Sequence, residues 1–381
     1  MGPEYSILTR YLVAFDRVRV IARVRDVEET PTGVARVDGP GVEVWPLPYY
    51  VGPAQFLTRI LPIRRSVLRA TEQVDTIMLR VPSPIANTVS GHFDRHRQPY
   101  CLEVVGDPNV ALSRGVIDHP LRPLLRRWAT SSMTRQCRQA TAAMYETERT
   151  LQTRYPARAR ALSEGISSVE LPHDAFVRVP RTYNAPLQGA VLVSVGSLDQ
   201  LYKGIDTLIE ALARLNGNGA AHRLVHVGRG RFLARLRRLA EKRGVAEQVE
   251  FAGWLPTHDD LRKMLDGADL FVMPSRTEGL PRALIEAMAR ALPAIGSTAG
   301  GIPELLTPEC LVRPDDPTAL ATAMRKMLST PERLTEASAR NLATARAFGA
   351  DVLSARRTAF YRSLHHFGGH PRQRMHVAGD A

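Results

Sequence analysis

Two glutamates with seven residues between them, Glu278 and Glu286, stand in the segment Glu278-Gly-Leu-Pro-Arg-Ala-Leu-Ile-Glu286. The first follows a strand-like run, Leu270 to Ser275, and the second lies in the apolar run Ala283 to Met288, which reads as a helix. Eight positions are a little over two helical turns, so Glu286 falls on the face of Glu278 but deeper along the helix. A helix N-terminus offers free N–H groups and the positive end of the helix dipole. A phosphate or a sugar oxygen can settle there. One carboxylate beside that point and one further in can accept hydrogen bonds from several hydroxyls. The pattern suits a nucleotide sugar.

A second signal is Ser194-Val-Gly-Ser-Leu-Asp-Gln-Leu-Tyr-Lys203-Gly204. It ends a strand, makes a loop and opens a helix. Lys203, the first of only four lysines, stands where an ammonium is electrostatically unfavourable by itself. A bound diphosphate would offset that, and an exposed surface lysine is the bland alternative. Gly228-Arg-Gly230 also follows a strand and opens a helix, as a ligand turn or as tight-turn chemistry alone. Gly300-Gly301 either lets a ligand approach the backbone or makes a plain loop.

The elements that must position these residues alternate. In the second half, strands are expected at 190–196, 223–228, 249–254, 270–275, 293–298 and 310–314. Helices are expected at 204–215, 232–243, 259–266, 281–291 and 317–328. Such alternation argues a parallel sheet covered by helices on both faces. The first half is less regular, with strands at 17–24, 42–47, 76–81, 100–106 and 142–147, and helices at 7–15, 54–70, 84–95 and 120–140. The organisation expected is a first domain over 1–182, a linker near 178–188 and a second domain over 189–349. A last helix in 350–381 packs back on the first domain, and the tail from Gly368 is frayed. A doubly wound domain opens with a buried strand and a Gly-rich turn. The chain instead enters a helical pattern at once, so the first strand of the first sheet is expected to be missing.

The chain has 381 residues and a net charge of +13, which suits an anionic partner or diffuse surface charge. No run of roughly 18 apolar residues appears, and the N-terminus has no signal pattern. Cys101, Cys137 and Cys310 are too far apart for a metal site or a disulfide framework, which fits a cytoplasmic setting. No Asp-X-Asp occurs, so no metal-bound diphosphate is expected. The stretch His119 to Ala140 carries five arginines and an apolar set of Leu121, Leu124, Leu125, Trp128 and Met133. It either lies on an anionic membrane, at the inner face of the cell membrane, or packs on a core.

Together these residues resemble the retaining nucleotide-sugar glycosyltransferases of family 4, closely over about 190–328 and more thinly before. The resemblance implies an α/β GT-B fold, two doubly wound Rossmann-like domains facing a cleft. It implies a UDP-type or GDP-type sugar donor on the second domain and no cofactor or metal. Lys203 would then bind the diphosphate, together with Gly196 and Ser197 of its loop. Glu286 would hold the ribose hydroxyls, and Glu278 the transferred sugar near the reacting carbon. Backbone groups around Trp254 would hold the base, and N–H groups of Gly279, Leu280, Arg282 and Ala283 the sugar and phosphates. The acceptor would be a glycan, a lipid-linked precursor or a small-molecule scaffold, as in bacterial polysaccharide, glycoconjugate or natural-product biosynthesis.

The chain departs from this pattern in three places. Ser197 replaces an arginine that the family often uses as a second phosphate contact, leaving Arg282, Arg276 or Arg229 to replace it. Pro281 has no N–H to give. The first-domain loop Val105-Gly106-Asp107-Pro108 has no histidine, so Asp107 either activates the acceptor as a base or forms a turn before proline. Two other functions fit less of the sequence: a sugar-nucleotide epimerase or hydrolase of the same fold, and a non-catalytic nucleotide- or nucleic-acid-binding protein.

Overall fold

A computed structural model describes residues 5–29, 35–72, 74–113, 119–217, 219, 221–368 and 374–378, with backbone alone for 365–368 and 374–378. The chain divides into two compact units. Unit 1 comprises Met1–Ala111, Pro123–Ile166 and Ser354–Ala381; unit 2 comprises Leu112–Arg122 and Ser167–Leu353.

Unit 1 contains β1 (Arg17–Val24), β2 (Val42–Pro48), β3 (Thr76–Val81), β4 (Cys101–Val104), β5 (Ala142–Tyr145) and β6 (Leu162–Gly165). Helices Gly52–Ala70, Pro84–His96 and Arg122–Gln139 connect β2, β3, β4 and β5 in turn. Their buried residues Ile63, Val67, Ile85, Val89, Phe93, Met133 and Cys137 share one core with the sheet residues Ile21, Leu47, Ile77, Leu79 and Leu102. The three helices therefore cover the same face.

Unit 2 contains β7 (Val191–Val195), β8 (Arg223–Val227), β9 (Val249–Gly253), β10 (Leu270–Met273), β11 (Ala294–Ser297) and β12 (Leu311–Val312). All pair in parallel, in the order β12-β11-β10-β7-β8-β9. β10 and β11 are buried at every position, as strands covered on both faces must be. The linker is fastened by Arg181, whose guanidinium donates to the carbonyls of Leu265 (2.8 Å), Arg290 (3.2 Å) and Ala268. It thus adds side-chain donors to carbonyls at two helix ends.

Two expectations are corrected here. The tail is not frayed throughout: Arg374–Ala378 form β13, which belongs to the sheet of unit 1. That sheet runs β2-β1-β13-β3-β4-β5-β6, parallel at every pairing. The strand expected to be missing thus has a substitute, because the position between β1 and β3 is filled from the far end of the chain. Second, the apolar stripe of the basic helix is split. Met133 is buried, whereas Leu121, Leu124, Leu125 and Trp128 are exposed.

Candidate functional site

The loops that follow four neighbouring strands, β10, β7, β8 and β9, converge at one edge of the second sheet. The carboxyl edge of a parallel sheet is where doubly wound folds bind ligands. Here β7 leads to Gly196 and Lys203, β8 to Arg229, β9 to Trp254, and β10 to Glu278 and its helix. A cavity of about 700 Å³ lies among them, lined by Gly196, Ser197, Lys203, Arg229, Trp254, Leu280, Arg282, Ala283, Glu278 and Glu286. That is ample for a nucleotide-sized ligand. Gly279, Arg276, Gly230, Gly300 and Gly301, also singled out from sequence, are not among its lining residues.

Lys203 Nζ donates to Glu278 Oε1 at 2.7 Å, and Ser275 Oγ donates to the same oxygen at 2.7 Å. Both charged side chains are largely shielded from solvent. The turn carrying Lys203 sits tightly on the chain entering the Glu278 loop. Gly204 has φ +69°, and a Cβ there would lie 2.2 Å from the Pro274 carbonyl oxygen. Only glycine fits that position. The Glu278 loop is held from its other side by the Gly300–Gly301 pair. Gly300 has φ +54°, and a Cβ there would come within 2.0 Å of the Glu278 carbonyl oxygen; Gly301 N–H donates to Gly279 O at 2.8 Å. The close approach read from these glycines is made by the protein's own Glu278 loop.

Glu286 lies on the helix Arg282–Ala289, with 14% of its side chain exposed. Burial raises its carboxyl above the ordinary range, and the cations of Arg282, His258 and Arg262 pull against that. His258 Nδ1 lies 3.9 Å from Glu286 Oε1. Among the described residues no side chain or N–H donates a hydrogen bond to it, so its oxygens are available to hydroxyls. Pro281 caps the helix, and its carbonyl accepts from Leu284 and Ile285. The first-turn N–H groups of Arg282 and Ala283 therefore lack helical partners and stand in the cavity wall.

The candidates for a second phosphate cation separate clearly. Arg276 is committed: it donates to both Asp206 oxygens at 2.9 Å, to Asp315 Oδ1 at 2.6 Å and to the Leu201 carbonyl. Arg282 and Arg229 line the cavity and have no carboxylate within ion-pairing distance among the described residues. Arg229 lies with its Cζ 5.8 Å from the centroid of the exposed Trp254 ring. Ser197 is used locally, donating to Asp199 Oδ2 and accepting from Asp199 N–H.

Asp107 matches the turn-forming alternative. Its Oδ1 accepts from Asn109 N–H at 2.8 Å and from the Tyr155 hydroxyl at 2.5 Å, and Arg154 donates to Oδ2. These three donors pin the loop through Asp107.

One residue was overlooked in the sequence. His226, on β8, is completely buried, with Nε2 at 3.0 Å from the Gly196 carbonyl and Nδ1 at 3.3 Å from Ser194 Oγ. A carbonyl can only accept, so Nε2 carries the proton and Nδ1 accepts from the serine. Burial pushes its pKa down to about 4, with the Gly196 carbonyl pulling the other way. A neutral imidazole therefore holds the loop that presents Lys203. The signal available was a histidine inside an otherwise apolar strand, Leu224 to Val227.

Residues 179–343 match the family described as glycosyl transferases group 1. Protein CapJ of Staphylococcus aureus is 25% identical over 86% of this chain and 81% of its own length. A GDP-mannose-dependent monoacylated α-(1-6)-phosphatidylinositol monomannoside mannosyltransferase of Corynebacterium glutamicum is 36% identical, over 34% of this chain and 36% of that protein. The structure of HepE from Anabaena in complex with UDP superposes with a TM-score of 0.65 at 15% identity, over 91% of this chain and 100% of that one. The chain carries a glycosyltransferase group 1 domain, and its fold is GT-B.

Proposed function

We propose that this protein moves a sugar from a nucleoside diphosphate sugar to an acceptor hydroxyl, with retention at the anomeric carbon and without a metal ion. The observation that carries this reading is the contrast between the two carboxylates. Glu278 is bonded to the cation Lys203, while Glu286 is buried in the same cavity wall with no hydrogen-bond donor. Glu286 takes the ribose hydroxyls. Lys203, the N–H groups of Arg282 and Ala283, and the guanidinium of Arg282 or Arg229 take the diphosphate. Glu278, steadied by Ser275, holds a hydroxyl of the transferred sugar.

These groups are fixed before the reaction and aimed at the charge that develops on the leaving diphosphate, which is how preorganised electrostatics accelerate a transfer. The bond from the anomeric carbon to the diphosphate oxygen breaks, the bond to the acceptor oxygen forms, and the nucleoside diphosphate departs with the acceptor's proton. The described residues contain no group of three or more His, Cys, Asp or Glu side chains arranged to hold a metal. The cations lining the cavity supply the charge instead. UDP in the superposed HepE structure and the GDP-mannose dependence of the Corynebacterium relative support a nucleotide donor of either base type. The acceptor is a glycan, a lipid-linked precursor or a small-molecule scaffold, and the setting is the cytoplasm at the inner face of the cell membrane.

Thermal shift with nucleosides and their mono- and diphosphates tests the donor reading, because a ligand of the folded state raises the melting point. Stabilisation that rises from nucleoside to diphosphate is expected. No stabilisation by any nucleoside diphosphate would overturn the reading. Proton NMR of the product with the matching sugar donor then reads the anomeric configuration, and release of free monosaccharide alone would identify a hydrolase instead.

A further inference from the structure

Two helices of unit 1 bury side chains fully only in their second halves, although Phe56 in the first half of one is partly buried against the core. In Gly52–Ala70 the buried residues begin at Ile63, and in Arg122–Gln139 they begin at Ser132. The cause is length. A helix of 19 residues is about 28 Å long, while strands of four to seven residues span about 13–23 Å. Each helix begins after a strand, so its first turns overhang the carboxyl edge of the sheet.

Both overhangs are apolar and exposed: Leu57 is 65% and Leu61 61% exposed on one, Leu124 66% and Trp128 57% on the other. Neither carries a carboxylate: residues 52–61 hold Arg59, and residues 122–131 hold Arg122, Arg126 and Arg127. The two helices flank Pro84–His96. Gly52–Ala70 packs against one side of it. On the other side Ser132 Oγ donates to Asn87 Oδ1 at 2.9 Å and Gln136 Nε2 to Ser90 Oγ at 3.1 Å. The overhangs therefore lie in one layer, at one end, on either side of a shared neighbour. The imidazole of His92, on that middle helix, is held below its ordinary pKa by burial and by the cations of His96, Arg64 and Arg95.

We infer that these two overhangs together form a docking surface for an anionic lipid bilayer. Leucine and tryptophan side chains enter the interface between headgroups and acyl chains, and the arginines meet the phosphates, as in helices that lie in a membrane surface. The absence of carboxylates over both segments is the charge complementarity that singles out this partner. A single amphipathic helix binds weakly; two held rigidly in one layer bind with the avidity of a linked pair. The inference sharpens the membrane-surface part of the proposed function and does not depend on the transfer reaction.

Flotation of the full chain with vesicles of phosphatidylcholine, with and without phosphatidylglycerol, tests it. The protein should float with the anionic vesicles, lose binding as salt is raised, and stay unbound on phosphatidylcholine alone. Leu124→Ser/Trp128→Ser and, separately, Leu57→Ser/Leu61→Ser should each reduce binding on the order of tenfold, and Arg59→Glu/Arg127→Glu should do the same. All six side chains are exposed, so the melting point and the stabilisation by nucleoside diphosphate should stay at the wild-type value. Equal binding by wild type and these variants, or no flotation with anionic vesicles, would overturn the inference. So would concentration-dependent self-association that the leucine variants abolish without any effect on vesicle binding, which would make a second copy the occupant. Loss of flotation with nucleotide binding intact leaves the donor reading standing, and the reverse result leaves the lipid surface standing.

Discussion

Lys203 and Glu278, 75 positions apart in sequence, are bonded to each other at 2.7 Å in the wall of the cavity of unit 2. The cation expected on the diphosphate and the carboxylate expected on the sugar are therefore one coupled unit. Lys203→Ala removes a charge-assisted contact worth about 1.5–3 kcal/mol. Donor kcat/KM should fall by roughly tenfold to a hundredfold. Glu278→Gln should lower mainly kcat, since contacts near the reacting carbon strengthen in the transition state. Because the two share a bond, the losses should not add in the double variant, with a coupling of about 1–3 kcal/mol. Kinetics of the four proteins check this, and additive losses would show that the pair acts as two separate contacts.

Glu286→Gln should trade binding for stability. The folded-state carboxyl is raised by burial, so the stability it contributes is present below its ordinary pKa and lost as pH rises through the raised value. At pH 7 the charged form carries the desolvation penalty, and glutamine does not. The variant should therefore melt higher than wild type at pH 7, with the gap closing towards pH 4. Its donor KM should rise by roughly tenfold, from a lost hydrogen bond to a charged acceptor. A lower melting point at pH 7 would mean that a partner offsets the buried charge.

His226 sets a pH limit on the loop of Gly196. Its folded-state pKa, about 4, is below its unfolded value, so its contribution is full above about pH 6.5 and is lost as pH falls towards 4. Protonation would put a second N–H opposite the Ser194 hydroxyl and a charge in a buried site. The melting-point advantage of wild type over His226→Phe should shrink steadily across that window, and the variant should also show a raised donor KM. An advantage that is constant from pH 7 to pH 4 would remove the histidine from this role.

Chelation should leave the reaction running. Lys203, Arg229 and Arg282 line the same cavity, which gives a leaving diphosphate three positive charges from the protein itself. Turnover in EDTA should stay within about twofold of the untreated rate. A complete loss restored by a divalent cation would require a metal in place of one of them.

Ending the chain after Gly368 should unfold unit 1 selectively. β13 pairs with β1 on one side and β3 on the other, so its removal opens two strand edges next to buried Val18, Ile21, Ile77 and Leu79. Open apolar edges invite association between chains. Calorimetry of the shortened chain should show the transition of unit 1 lowered or absent and that of unit 2 kept. Unchanged melting of both would mean that β13 adds nothing to the sheet.

The strands that lead into the candidate site were legible because each is a short, largely apolar run closed by glycine or proline. The expected 223–228 and 270–275 are β8 and β10 with one or two residues trimmed. The carboxylate pair was legible because its spacing is a property of one turn and one helix. What sequence did not show depends on contacts between distant segments. β6, Leu-Ser-Glu-Gly, has no apolar pattern and is a strand because β5 offers it an edge. The helix Pro331–Ala345 went unread as well, although its apolar positions pack on the helix Arg282–Ala289. Nothing local to Asp107 shows that Arg154 and Tyr155 would occupy its oxygens. Nothing local to Arg276 shows that Asp206 and Asp315 would claim it.

The place of β13 also fixes an order of events on the ribosome. β1 to β6 emerge first, and their sheet must wait with its middle position open while all of unit 2 is made. At about 5–20 residues per second, the roughly 200 residues between β6 and β13 take on the order of 10–40 s. During that time the half-built sheet shows two unpaired strand edges to solvent. Unit 2, whose strands are contiguous in the chain, can close before synthesis ends. The unit written first is thus the unit whose sheet is completed last.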